Sequence, residues 1–266
     1  MSSHSLSVVH PNAQLGAGVS VGPFTLIEDD VTIGDGTTIA SNVTILAGSR
    51  IGKNCRIFPG AVIGAIPQDL KFHGEYTTAV VGDNTTIREC VTINRGTAAA
   101  NTTVVGSNCL LMAYAHVAHD CMLGDNIIIA NNVNLAGHVI LEDHVIIEGQ
   151  VGVQQFVRIG RHSFIAGGSL VRKSVPPYIR AAREPLSYIG VNRIGLQRRG
   201  FSVERINNIH EIYRILYVKG LNITNAITEI EASVPVSEER DEVIEFITNT
   251  EKTGIIRSFQ SMPNGN

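Results

Sequence analysis

An aliphatic residue returns at every sixth position over a long central stretch of this chain. The twelve consecutive positions are Val105, Leu111, Val117, Leu123, Ile129, Leu135, Leu141, Ile147, Val153, Ile159, Ile165 and Val171. Four residues after most of them stands a small or β-branched residue, such as Cys109, Ala115 or Val133. An amphipathic helix repeats at about 3.6 residues and a strand at about two, so neither gives a period of six. The pattern predicts a hexapeptide β-helix, in which each hexad forms a short strand and a turn.

Three hexads are expected to close one triangular coil of 18 residues, with strands of successive coils about 4.8 Å apart. The same period runs from Val9 to Ile63 and resumes at Val81, which gives 25 hexads and about eight coils in all. The period breaks near 65–79 and again near 94–104. We therefore expect an all-β solenoid over residues 1–184 that carries two inserted loops.

Loops that leave a regular scaffold often carry binding residues. The first loop holds Asp69 and Lys71 within a charged and aromatic run, which favours a functional role over slack at a corner. The second loop contains Ala98, Ala99 and Ala100, and its sequence favours neither reading.

The solenoid is expected to end at Pro176 and Pro177, because proline removes the backbone donors that strand addition needs. An irregular segment to Gly200 is expected next, followed by helical periodicity that Ser202 can cap. Further helices are expected over 225–232 and 237–252. We therefore predict a small C-terminal α-helical domain over 185–266 that covers the exposed edge of the last coil.

A histidine and a glycine fall one coil apart within the unbroken repeat. Counting 18 residues from His119 gives Gly137, and a further 18 gives Gln155, so these residues should share one outer edge with Asp120 and His138. An imidazole can act as general base at neutral pH, and a glycine amide can stabilise an oxyanion. The sequence contains neither a Gly-x-Ser-x-Gly nucleophile motif nor an evident activated cysteine, which favours direct transfer over an acyl-enzyme. Asp120 is expected to orient His119.

Charge is distributed unevenly, although the net charge is only −3. Residues 158–219 carry twelve Lys or Arg against three Glu, which indicates an acidic partner, unless these arginines merely cover the end of the coil. No nucleic-acid module, membrane-spanning apolar run or secretion signal is recognisable. The four cysteines lack a Cys-x-x-Cys spacing, so a reduced, cytoplasmic protein is expected.

Two other readings of the histidines stay open at this point. His116, His119, His138 and His144 could bind zinc, as in hexapeptide-repeat carbonic anhydrases, although His138 and His144 lie one hexad apart and so at different corners. The histidines could also be solvent-facing residues on a non-enzymatic structural solenoid.

Several motifs together resemble one enzyme family over nearly the whole chain. They are Ile66-Pro67-Gln68-Asp69-Leu70-Lys71, Ile87-Arg88-Glu89-Cys90-Val91-Thr92-Ile93-Asn94-Arg95-Gly96, Ala115-His116-Val117-Ala118-His119-Asp120, Leu135-Ala136-Gly137-His138, Gly190-Val191-Asn192 and Gly195-Leu196-Gln197-Arg198-Arg199-Gly200. The family is the acyl-carrier-protein-dependent UDP-N-acetylglucosamine O-acyltransferases of lipid A biosynthesis. The resemblance implies a left-handed parallel β-helix, a homotrimer with active sites between subunits, and no cofactor.

The resemblance also assigns roles to individual residues. It implies His119 as general base and Gly137 as oxyanion donor, with the remaining roles divided among the sugar (Asp69, Lys71, His116, His138), the nucleotide (Gln155, Asn192, Arg199) and the acidic carrier protein (Arg198, with basic neighbours that include Arg158). The reaction implied moves a 3-hydroxyacyl group from the carrier thioester to the 3-hydroxyl of UDP-N-acetylglucosamine.

Three positions modify this expectation. Gln154 stands where the family commonly has His, and Ile194 where it often has Glu, which places contacts to uridine and phosphate in question. The family's acyl-length ruler falls near Gly167, which has no side chain, so a long acyl chain is expected. The alternative from the same pathway is the related UDP-3-O-acyl-glucosamine N-acyltransferase. It usually carries an additional N-terminal domain, for which a repeat starting at Val9 leaves no room.

Overall fold

A computed structural model describes residues 2–250 and 253–258. The short strands predicted from the six-residue period form three parallel sheets, which are the faces of a triangular prism. The chain passes from the first sheet to the second, then to the third, and back to the first one coil later. The fold is a left-handed parallel β-helix, as expected, followed by a helical C-terminal region.

Most strands are only two residues long, because a turn follows every strand. The first sheet contains Ser2–Ser3, Ser20–Val21, Thr38–Ile39, Arg56–Ile57, Thr86–Ile87, Leu110–Leu111, Ile128–Ile129, Ile146–Ile147, Phe164–Ile165, Ile179–Ala182, Ser187–Val191 and Arg257–Ser258. The second contains Val8–Val9, Leu26–Ile27, Thr44–Ile45, Val62–Ala65, Thr92–Asn94, His116–Val117, Asn134–Leu135, Gly152–Val153 and Leu170–Val171. The third contains Gln14–Leu15, Thr32–Ile33, Ser49–Ile51, Thr78–Val81, Thr102–Val105, Met122–Leu123, Ile140–Leu141 and Arg158–Ile159.

The register between sheets gives the coil length directly. Leu110 pairs with Ile128, an offset of 18 residues. Val62 pairs with Thr92, an offset of 30, and Thr92 pairs with His116, an offset of 24. The chain therefore inserts twelve and then six extra residues without disturbing the stack. Both insertions, residues 66–77 and residues 95–101, lie between a strand of the second sheet and a strand of the third.

The interior of the prism is a column of aliphatic side chains. Ile63, Ile93 and Val117 succeed one another in the second sheet and are fully buried. Cys109 and Cys121 fill the small positions four residues after the aliphatic ones and are buried free thiols. Stacking of like side chains on the next coil is what makes the six-residue period visible in the sequence.

The end of the prism differs from the irregular segment expected up to Gly200. Ile179–Ala182 and Ser187–Val191 form an antiparallel pair, and helix α1 follows at Arg193–Arg198. The pair continues the first sheet, because Phe164–Ile165 still offers its edge beyond the two prolines. The predicted domain division after residue 184 falls in the turn of this pair and stays a prediction.

Three longer helices complete the described chain: α2 at Val203–Tyr217, α3 at Ile223–Ser233 and α4 at Glu238–Thr248. Ser202 caps α2 as predicted, by accepting a hydrogen bond from the Arg205 amide. Helix α4 is shorter than the predicted 237–252, whose last two residues lie outside the described part of the chain. Among the described residues no helix combines the length and the apolarity that a membrane crossing requires.

Candidate active site

One edge of the prism collects most of the chemically capable residues. We call it the insertion edge: it is the border between the second and third sheets, and it carries residues 66–77, residues 95–101, His119–Asp120, Gly137–His138 and Gln155–Phe156. The offset of 18 residues stacks the last three pairs on successive coils.

His119 and Asp120 form a buried pair on this edge. His119 Nδ1 lies 2.8 Å from Asp120 Oδ2, and the two residues are 7% and 3% exposed. Burial disfavours the charged carboxylate, but hydrogen bonds from Thr97 and His119 outweigh it and lower the pKa of Asp120. Because an ionised carboxylate only accepts, Nδ1 of His119 carries the proton and Nε2 keeps its lone pair.

Asp120 is held from its other side by residues of the second insertion. Oδ1 accepts hydrogen bonds from the amides of Thr97 and Ala100, at 2.9 and 3.2 Å. Oδ2 accepts from the Thr97 hydroxyl at 2.6 Å. The periodicity gave no sign of this role, because residues 95–101 are outside the repeat. The only signal available was a hydroxyl residue placed directly after the motif that ends at Gly96.

Gly137 lies directly against the imidazole of His119. A Cβ built on Gly137 would stand 2.5 Å from Cε1 and 2.7 Å from Nε2 of that ring, closer than real Cβ contacts allow. Within the described residues, no backbone acceptor is recorded for the Gly137 amide. The predicted pairing of an imidazole with a glycine amide one coil away is therefore physically possible, and glycine is what leaves room for the ring.

Two more histidines line the same region. The His138 ring meets His119 edge-on with centroids 5.3 Å apart and stacks on Phe156 at 4.8 Å. His116 Nδ1 lies 2.7 Å from the Thr92 hydroxyl. Burial, and then the proximity of His119, lower the pKa of His116, so that this ring is neutral at pH 7.

The remaining residues predicted to bind substrate fall into two groups. Asp69, Lys71 and Gln155 lie on the insertion edge and have exposed or half-exposed side chains. Asn192 and Arg199 lie at the border between the third and first sheets, where Asn192 donates to the His162 carbonyl and Arg199 to the His144 carbonyl. Within one chain the structure does not bring this second group to His119.

The residues predicted to contact the carrier protein and the acyl chain are also separated. Arg198 is exposed in the last turn of α1. Arg158 is half-buried, pairs with Glu142 and lies over the Phe246 ring at 4.7 Å. Gly167 is exposed at the border between the first and second sheets.

A cavity of about 400 Å³ lies on the outer face of the second sheet, between the insertion edge and the border that carries Gly167. Small residues flatten this face, and its lining includes His116, Ala118, Ala136, Gly152 and Leu170. The cavity can take an extended apolar chain that starts near His119.

The geometry does not gather the four histidines considered for zinc. His144 stacks on His162 at a different edge of the prism, and His116 pairs with Thr92. Among the described residues, His119, Asp120 and His138 do converge, with ligand atoms within 4.8 Å of one another. However, the 2.8 Å between Nδ1 and Oδ2 is a hydrogen-bond distance, whereas two ligands of one zinc ion stand about 3.3 Å apart.

Comparisons with known proteins agree with this architecture. The family model described as "Udp N-acetylglucosamine O-acyltransferase; Domain 2" matches residues 175–256, and the model "Bacterial transferase hexapeptide (six repeats)" matches 102–137. The model of a GMPPB C-terminal domain matches 4–107.

Individual relatives match over almost their full length. The acyl-[acyl-carrier-protein]–UDP-N-acetylglucosamine O-acyltransferase of Xanthomonas oryzae pv. oryzae is 46% identical over 252 residues, which cover 94% of this chain and 96% of that protein. The crystal structure of the UDP-N-acetylglucosamine acyltransferase of Bacteroides fragilis is 53% identical, with a TM-score of 0.94 over 96% of this chain and 99% of that one. The enzyme of Francisella novicida is 41% identical, with a TM-score of 0.92 over 98% and 95%.

Proposed function

Because the chain belongs to the UDP-N-acetylglucosamine O-acyltransferase family, we propose that it moves a 3-hydroxyacyl group from acyl carrier protein to the 3-hydroxyl of UDP-N-acetylglucosamine. This is the first step of lipid A biosynthesis. The observation that supports the chemistry best is the His119–Asp120 pair, whose free Nε2 faces Gly137.

The proposed transfer is direct. Nε2 of His119 takes the proton of the sugar 3-hydroxyl as its oxygen attacks the thioester carbonyl, and Asp120 stabilises the imidazolium that forms. The Gly137 amide donates to the oxyanion of the tetrahedral intermediate. Collapse of the intermediate breaks the carbon–sulfur bond, and the imidazolium returns its proton to the departing thiolate.

We assign the sugar to residues around the insertion edge. Asp69 and Lys71, on the first insertion, and His138, beside His119, are the proposed partners of its hydroxyl and acetamido groups. His116 lines the cavity and is neutral at pH 7, so it can donate or accept a hydrogen bond without adding charge.

The nucleotide is assigned to Gln155, Asn192 and Arg199, and this assignment requires a homotrimer. One Nη of Arg199 is buried without a hydrogen-bond partner among the described residues, which suits a phosphate or another chain's acceptor. Since Arg199 and His119 lie on different edges of one prism, a complete site would take His119 from one subunit and Arg199 from the next. A triangular prism suits threefold symmetry.

The carrier protein is assigned to the basic C-terminal part of the chain. Arg198 is exposed there, while the guanidinium of Arg158 is already paired with Glu142 and is the weaker candidate. The missing side chain at Gly167 supports a long acyl chain along the cavity of the second sheet. We propose that no cofactor takes part, because the donor thioester is already activated.

We propose that the protein works in the cytoplasm, where carrier protein and nucleotide sugar are both present. The four cysteines are free, and burial raises the pKa of Cys109 to about 11 and of Cys121 to about 12, so both are unreactive core thiols. Free thiols in the core suit a reducing compartment.

The test uses purified protein, UDP-N-acetylglucosamine and 3-hydroxyacyl carrier proteins of graded chain length. We expect transfer onto oxygen, fastest with a long chain, and a fall of about 10²- to 10⁴-fold in kcat for His119→Ala with the trimer retained. Unchanged turnover in the variant would remove His119 from the mechanism, and preference for a short chain would contradict the role of Gly167. Activity only with UDP-3-O-acyl-glucosamine would favour the N-acyltransferase.

A further inference from the structure

The second insertion is a single tight turn with small side chains. The Asn101 amide donates to the Thr97 carbonyl at 2.7 Å, which closes one helical turn over residues 97–101. The amide of Ala99 donates to the Thr97 hydroxyl oxygen at 3.2 Å. This geometry leaves the amides of Thr97 and Ala100 pointing together at Oδ1 of Asp120.

The turn is fixed to the scaffold on its far side. The amide of Gly96 donates to the Thr78 carbonyl at 3.1 Å, and a Cβ at Gly96 would stand 2.3 Å from the Thr102 nitrogen. Glu75, from the first insertion, accepts a hydrogen bond from the Ala98 amide at 3.0 Å. The turn therefore has no room to drift away from Asp120.

We propose that Thr97 is a positioning residue for the acyl transfer proposed above, acting through Asp120 on the catalytic imidazole. Its hydroxyl donates to the same Oδ2 that accepts Nδ1–H of His119, while its amide fixes Oδ1. The carboxylate is thus held by both oxygens in the plane that the imidazole needs. The inference rests on the proposed function, and it assigns a task to the insertion that the sequence left without one.

The charge on Oδ2 links Thr97 to the proton affinity of His119. Three titratable groups face Asp120: His119, His138 with Nε2 at 3.6 Å, and the Cys121 thiol, whose raised pKa keeps it neutral. His119 in turn faces His116, His138 and Asp120. If the Thr97 hydroxyl is lost, the two amides still hold Oδ1, and Oδ2 concentrates its charge on His119. The imidazolium is then favoured, and His119 should titrate at higher pH.

The experiment compares Thr97→Val with Thr97→Ser and with the matched control Thr102→Val. Thr102 lies in the adjoining strand of the third sheet and exchanges its hydroxyl bond with Thr78, not with Asp120. For Thr97→Val we expect a fall of about tenfold in kcat with little change in KM, as for the loss of one hydrogen bond to a charged group. The acid limb of the pH–rate profile should move upward. Thr97→Ser and Thr102→Val should retain the wild-type profile.

A second readout separates this inference from the proposed function. The pKa of His119 is followed by NMR of ¹³C-labelled histidine, with His119→Asn identifying its signal, and this measurement needs no substrate. An inactive wild type would refute the proposed function alone, whereas a raised His119 pKa in Thr97→Val still supports the positioning role. An acid limb and a His119 titration that stay unchanged in Thr97→Val would overturn the role of Thr97, even if the variant were less stable.

Discussion

His162 is a buried histidine that the proposed reaction does not use. Its ring lies between His144 and Tyr178, with centroids at 4.7 and 5.6 Å, and meets Phe201 edge-on. Its Nδ1 is buried without a hydrogen-bond partner in the described part of the chain. Burial, followed by the nearby His144 and Arg199, lowers the pKa of His162 to about 3.

This lowered pKa predicts a specific sensitivity to acid. The folded state leaves His162 neutral, whereas an unfolded histidine binds a proton below about pH 6.5. Stability is therefore fully present above that pH and is lost as pH falls toward 3, by about 2 kcal/mol at pH 5. His162→Phe keeps the stack and removes the titration, so its Tm should fall less between pH 7 and pH 5.

The control for this measurement is His210→Phe, since His210 is exposed on α2. Its Tm should follow the wild type across the same range. Equal acid sensitivity in wild type and His162→Phe would show that His162 does not set the acid response.

At the scale of the coil, side chains at one edge repeat a single contact. At the border between the third and first sheets, an Asp Oδ1 accepts the backbone amide of the coil before it. The pairs are Ala17 with Asp35 at 2.8 Å, Lys53 with Asp83 at 2.7 Å, Ser107 with Asp125 at 2.7 Å and Asp125 with Asp143 at 2.8 Å. These bonds satisfy turn amides that the ladders between strands leave unpaired.

Asp143 tests whether the acceptor or the charge matters in this ladder. Asp143→Ala leaves the Asp125 amide without its acceptor and should cost about 1 kcal/mol of unfolding free energy. Asp143→Asn keeps an oxygen at the same place and should lose much less. Chemical denaturation of both variants gives the comparison, and equal losses in the two would assign the effect to charge.

At the scale of the whole molecule, the proposed site is split between two edges. His119 lies on the insertion edge, and Arg199 lies beside His144 on another. The C-terminal helices reinforce that second region: Glu242 of α4 binds both Arg161 and the Tyr178 hydroxyl. The nucleotide end of a site can thus be rigid in one subunit and serve the reacting group of another.

Mixing two inactive variants tests this arrangement. His119→Ala and Arg199→Ala are refolded together in equal amounts and assayed against each variant alone. If each site in a trimer takes the two residues from different subunits, about a quarter of the sites will contain both native residues. Activity near a quarter of wild type is expected. Mixed trimers with no recovered activity would place both residues in one chain.

Most of the fold could be predicted from the six-residue period, because buried side chains on successive coils must match one another. The stacking of Gly137 over His119 followed from the same period, since no insertion interrupts the chain between them. The antiparallel pair after residue 178 could not be predicted, because an edge strand is recruited by the unpaired sheet beside it and not by its own periodicity.

The sequence by itself determined the length of the coil, the edge on which the insertions leave it and the pairing of an imidazole with a glycine. These depend on residue spacing, which the backbone ladder converts directly into position. Only the tertiary structure decided that Thr97 and Ala100 bind Asp120, and that Arg199 stands on another edge. Their positions depend on contacts between segments that have no common period, so counting along the chain does not predict them.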